Sequence, residues 1–160
     1  MNRGKFRRRD RLVQEKRHDT YKEWEKWPEP TVCKLCSAVF TGGRWTWNQP
    51  PENAHYTICP ACQRIKDKMP AGIIDIKGNF WKHHRDEILN LINNEAKLQK
   101  QAHPMERIME LEEGEDKIYI TTTGVHIARR IGEALYRAYQ GEFDFTYGDE
   151  EKSIRVFWKR

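Results

Sequence analysis

The sequence predicts an α+β fold in three parts: a basic arm over residues 1–30, a four-cysteine zinc ribbon over 31–72, and a small α-β-β-α-β-β domain with an antiparallel sheet over 73–160. Three observations carry that prediction. All four cysteines, a glycine pair and most of the prolines fall in one turn-rich stretch. Beyond it, apolar residues recur with a helical period in two segments and alternate in four others. Positive charge, finally, gathers at the N-terminus.

The arm comes first. Residues 1–17, MNRGKFRRRDRLVQEKR, hold eight Lys/Arg against Asp10 and Glu15, whereas the whole chain of 160 residues has a formal charge of only +5. The remainder therefore nearly cancels. A basic arm on a near-neutral body suits a polyanion, and nucleic acid is the commonest one in a cell. Arginine outnumbers lysine here and matches phosphate geometry, so Arg7, Arg8, Arg9 and Arg11 are candidate RNA contacts. The competing reading is a solvated tail. A helix around Tyr21 to Trp27 is compatible with the pattern, and WPEP at Trp27–Pro30 stops it. No apolar run approaches the roughly 20 residues needed to span a bilayer, and the arginine-rich start has no signal-like apolar stretch. A cytoplasmic protein without membrane contact is expected.

The cysteine module follows. Cys33 and Cys36 form one C-x-x-C pair and Cys59 and Cys62 another, with 22 residues between them. Two such knuckles bring four thiolates to the corners of a tetrahedron about 2.3 Å from a zinc ion. Four cysteines close the shell, so one structural Zn2+ is expected rather than a catalytic one. A redox C-x-x-C and an iron–sulfur centre are the alternatives. A module of about forty residues buries too little apolar surface to fold alone, and the metal supplies the deficit. The hairpin it holds, VCKLCSAVFTGGRWTW, projects Arg44 as a candidate RNA contact. Trp45 and Trp47 lie on one side of the strand, either stacking on a base or packing on the module or the next domain. His55 is expected to be a loop residue.

PAG at Pro70–Gly72 closes the module, and IIDIKG reads as a short strand or extended linker. Asn79 is placed to cap a helix whose stripe runs through Trp81, His84, Ile88, Leu91, Ile92, Glu95 and Leu98 and ends near His103, before Pro104. Glu106–Thr123 reads as a hairpin around EEGED. A second helix follows, capped by a threonine, lined by Ile127, Ala128, Ile131, Leu135 and Ala138, and terminated by Gly141. Two strands close the chain. Phe143, Phe145 and Tyr147, with Ile154, Val156 and Trp158, form the core face, while Arg155, Phe157 and Lys159 take the other.

The second helix also carries His126, Arg130, Glu133 and Arg137 on one face with Arg129 beside them. Arg129, Arg130 and Arg137 are candidate RNA contacts, and the threonines at the helix start are candidate anion holders. The opposing reading is a solvated face whose Glu133 bridges the arginines. His83, His84, Asp86 and Glu87 offer a hydrolase or nuclease reading, against which adjacent helical residues diverge by about 100°. His84, on the apolar stripe, reads rather as a core histidine. No glycine-rich phosphate loop follows a strand, so neither a nucleotide cofactor nor a small-molecule substrate is expected.

The block VCKLCSAVF…GRWTW…CPACQRI, then PAG, HRDEILNLINNEA, HP and the run TTTGVHIARRIGEALYRAYQGEFDFTY resembles a bacterial family of four-cysteine zinc-ribbon proteins. That family is distantly similar to the N-terminal part of the archaeal and eukaryotic adaptor that rides the large ribosomal subunit during nuclear export. The resemblance covers nearly all of the chain from residue 31. It implies association with the ribosome or RNA (ribosomal RNA, a ribosomal subunit or ribosomal proteins as partners) and no enzymatic activity. A zinc ribbon serving as a protein–protein interaction module is the alternative.

Overall fold

A computed structural model describes residues 27–160. The basic run, with Arg7, Arg8, Arg9 and Arg11, and most of the helix expected around Tyr21–Trp27 lie outside the described residues.

Residues 31–67 build a small sheet and one helix. Strands β1 (Thr31–Cys33), β2 (Val39–Thr41), β3 (Arg44–Thr46) and β4 (His55–Thr57) lie in the order β3-β2-β1-β4, with β4 parallel to β1. Gly42 and Gly43, at φ +61° and +76°, make the two-residue turn between β2 and β3, a left-handed conformation that glycine adopts without penalty. His55 is thus a strand residue, paired with Thr31, rather than part of a loop. Helix α1 (Pro60–Asp67) carries proline at its first position and is capped by the Cys59 sulfur, which accepts from the Cys62 N–H.

The second sheet has five strands: β5 (Gly72–Lys77), β6 (Ile108–Glu113), β7 (Lys117–Thr122), β8 (Glu142–Tyr147) and β9 (Ile154–Lys159), ordered β6-β7-β5-β9-β8. Both expected hairpins form. The sheet is mixed rather than antiparallel, because β5 pairs parallel with β9. IIDIKG is therefore the central strand, its Ile74 and Ile76 fully buried. Its short length hid that role.

Three helices cover one face of this sheet: α2 (Asn79–His83), α3 (Arg85–Ala102) and α4 (Val125–Tyr139). The single helix expected from Asn79 is broken at His84, whose ψ of 28° interrupts the turn, and Gly78 rather than Asn79 stands at its start. The core joins Ile74, Ile76, Ile118, Ile120, Val156 and Trp158 of the sheet to Trp81, Ile88, Ile92, Ile131 and Leu135 of the helices. Phe143, Phe145 and Tyr147 pack against it, as their alternation predicts. The apolar stripe of α3 is narrower than its period suggests: Leu91 and Glu95 are half-buried and Leu98 is 60% exposed. On α4, Ala138 is exposed, and Gly132 and Ala134 are the buried small residues.

Gly132 sets the spacing between α4 and the sheet. A Cβ there would fall 2.5 Å from a Phe143 ring carbon and 2.6 Å from a Val156 methyl. Gly132→Ala is expected to lower stability: overpacking of about 1–3 kcal/mol exceeds the gain in helix propensity of about 1 kcal/mol. A urea midpoint at or above the parent's would refute that close fit.

Candidate metal centre

The first knuckle turns at the end of β1. Cys33 receives a hydrogen bond at its carbonyl from the Ser37 N–H (3.0 Å) and donates its own N–H to the Ala38 carbonyl (2.8 Å). The second knuckle is the cap and first turn of α1. Together they bring Cys33, Cys36, Cys59 and Cys62 into a cluster whose sulfurs all lie within 4.8 Å of one another. Cys36 Sγ and Cys59 Sγ stand 3.7 Å apart. A tetrahedral ion with four sulfurs at 2.3 Å places them about 3.8 Å apart, so the donor set fits a single structural ion of the zinc type. When bound, such an ion supplies folding energy and charge neutralisation to a fully thiolate shell.

Backbone N–H groups support the sulfurs. Cys33 Sγ accepts from Leu35 (3.4 Å) and Cys59 (3.3 Å), and Cys59 Sγ from Cys62 (3.4 Å). Burial raises the Cys33 thiol, but the surrounding N–H groups outweigh it and bring it down to about 6. Burial pushes the Cys59 and Cys62 thiols up, and repulsion among the clustered sulfurs adds to this. A cation relieves that repulsion.

One cation comes from the protein itself. Arg107, at the foot of β6 and only 8% exposed, donates through Nη1 to Cys62 Sγ (3.2 Å) and through Nη2 to Cys36 Sγ (3.1 Å) and Cys59 Sγ (3.6 Å). Its Nε donates to the Pro104 carbonyl (2.7 Å), which fixes the plane of the guanidinium. Burial disfavours the charge, and the sulfur contacts overcome this, holding the group firmly protonated. Three cysteines of one module are thereby tied to a residue of the other. Arg107 escaped sequence reasoning because no spacing relates position 107 to positions 33–62.

Both tryptophans of the hairpin serve the protein's own packing. Trp45 joins Trp27 and Phe40 at ring distances of 5.4 and 5.5 Å, and its buried indole N–H has no acceptor among the described residues. Trp47, though 38% exposed, reaches the second module: its indole N–H donates to the Lys100 carbonyl (2.7 Å), and its ring lies 5.5 Å from the Arg107 guanidinium carbon. The glycine turn beside them is engaged as well, since the Gly42 and Gly43 N–H groups donate to the Glu29 carboxylate (3.2 and 2.9 Å).

The candidate RNA contacts divide. Arg44 is exposed at the start of β3, and Arg137 is exposed on α4. Arg129 is engaged within the protein by Glu133 (2.9 Å), the Tyr147 hydroxyl (3.2 Å) and the Phe145 ring (4.7 Å). Arg130 lies 4.0 Å from the same Glu133. The bridged arrangement weighed for this face is the one present at these two residues. Nor does a threonine cap α4. Gly124 holds the cap position, and the Ile127 N–H donates instead to the buried Glu106 carboxylate (3.1 Å), while Thr122 and Thr123 bond the Gly124 and Met105 carbonyls. That carboxylate stands where an anion would.

His83 and His84 flank the break between α2 and α3. His84 is half-buried rather than a core residue: it stacks on Phe80 (4.0 Å between centroids), with Nδ1 3.5 Å from a Glu87 oxygen. Asp86 is drawn to Arg85 (3.0 Å), which also grips Glu113 with two bonds.

Fold and site together define an α+β protein with mixed sheets and a four-cysteine cluster suited to a metal ion. No known protein family, curated protein or solved structure matches the chain. No helix among the described residues is long and apolar enough to cross a membrane.

Proposed function

We propose that this is a non-enzymatic RNA-binding protein associated with the ribosome, in which a four-cysteine zinc ribbon is a structural clamp. The observation that carries the reading is the concentration of eight Lys/Arg in residues 1–17 on a chain whose total charge is +5. The resemblance to ribosome-linked zinc ribbons supports it, as do Arg44 and Arg137, both turned to solvent. In this reading the arm supplies sequence-independent affinity through counterion release, and the clamp fixes the direction of the hairpin.

The test is crosslinking of the tagged protein in cells, followed by sequencing of the attached RNA, with salt titration of binding to the RNA recovered. Crosslinks concentrated in ribosomal RNA, and affinity falling steeply with salt, are expected. RNA at background would overturn the reading. A protein-interaction module is the second reading, favoured by Leu35 and Tyr56, which are 64% and 60% exposed on the cysteine module. Deletion of residues 1–17 separates the two, because only RNA binding should collapse.

A further inference from the structure

The face of the five-stranded sheet turned away from the helices carries three lysines in one row. Lys117 stands opposite Lys77 across β7 and β5, and Lys77 opposite Lys159 across β5 and β9. Neighbouring strands are about 4.8 Å apart, so three ammonium-bearing stems leave the sheet within roughly 10 Å. All three side chains are exposed, and none forms an ion pair among the described residues. Like charges directly opposite one another weaken a sheet. Glu142, opposite Lys159 on β8, ends the row with one carboxylate against three ammonium groups, and that local excess of positive charge suits an anion.

The next row on the same face pairs Tyr119 with Asp75 and Asp75 with Phe157. Both aromatics are half-buried, with one strand between them. Glu112 and Asp144 end this row on the outer strands, and Arg155 approaches Asp75 at 3.7 Å. Three lysines and, at the β8 end, Glu142 therefore lie along one edge of the face, and two rings with interspersed carboxylates along the next.

We propose that this face binds single-stranded RNA, with phosphates along Lys117, Lys77 and Lys159 and bases over Tyr119 and Phe157. The proposal rests on the RNA-binding reading and gives it a site separate from the arm and from Arg44. Unpaired bases stack on aromatic rings, and a duplex keeps those faces hidden, so the chemistry selects single strands. The carboxylates accept from base amino groups and repel phosphate, confining the backbone to the lysine edge.

The test uses the full chain and a fluorescein-labelled oligouridylate of about a dozen nucleotides, within the span of one such platform. Dissociation constants are measured across a salt series. Changing Lys77, Lys117 and Lys159 together to glutamine should flatten the log–log salt slope by about 2, since each phosphate contact contributes about 0.7 for single strands. The thermal midpoint of this variant should stay close to the parent's, because the relief of lysine–lysine repulsion is set against the loss of the Lys159–Glu142 pairing; this separates lost binding from lost folding. Tyr119→Leu with Phe157→Leu keeps the apolar bulk and removes the rings, and should weaken binding about tenfold or more with the slope unchanged. A parent that binds no oligouridylate in a salt-dependent way would overturn the RNA reading and this site with it. A parent that binds while both variants bind equally well would overturn this site alone and leave the RNA reading to the arm.

Discussion

Cys59→Ser is expected to abolish metal retention and unfold residues 31–67, while the five-stranded sheet stays folded. Cys59 is fully buried, caps α1, and lies 3.7 Å from Cys36 Sγ. A hydroxyl there is a poor ligand for a soft tetrathiolate site. The cysteine cluster has little else to hold it, because among the described residues its buried members beyond the ligands are Ala38 and Ala61. Structural zinc contributes about 10–16 kcal/mol in small modules, more than such a core replaces. The sheet, by contrast, has its own core of fourteen buried residues. Metal content by native mass spectrometry and amide exchange resolved by segment would check this. Residues 31–67 still protected with no ion bound would show that the cluster is no metal clamp.

Arg107→Ala should produce the second-largest effect. It removes the donor to three sulfurs and leaves the Pro104 carbonyl without its partner. Breaking a buried charge pair typically costs about 3–5 kcal/mol, and losing an outer-shell partner costs about 10–100-fold in metal affinity. Competition with a chromogenic chelator reads the affinity, and urea unfolding of the metal-loaded protein reads the stability. Arg107→Lys should recover little, because one ammonium cannot reproduce a planar fork shared among several sulfurs and a carbonyl. Unchanged metal affinity in both variants would mean that the guanidinium is a bystander.

Much of this is local and could be read directly. The spacing of Cys33, Cys36, Cys59 and Cys62 specifies a cluster because two short C-x-x-C turns present its four sulfurs. Both hairpins after Pro104 and the helix over 125–139 followed from period and turn residues alone. Misreadings arose where the decision is made at a distance. The break at His84 puts Trp81 against Gly114, whose carbonyl accepts from its indole (3.4 Å), a contact 33 positions away. The cap of α4 went from threonine to Glu106 because a carboxylate from the loop before β6 reaches the helix end. A stripe with a regular period put Leu98 and Ala138 inside, but both are exposed, although Tyr139 beside Ala138 packs on the core.

The α+β class, the metal-type ligand set, the hairpins and the segregation of charge are thus written in residues near one another along the chain. Folding had to occur before β5 could pair parallel with β9, which makes IIDIKG the centre of a mixed sheet. The same holds for Arg107, which closes the cysteine cluster from the other module, and for the single row of Lys117, Lys77 and Lys159. One physical cause covers all three cases. Strand pairing and the seating of a buried charge depend on which surfaces meet after the chain has closed loops of tens of residues, and no local period encodes that meeting.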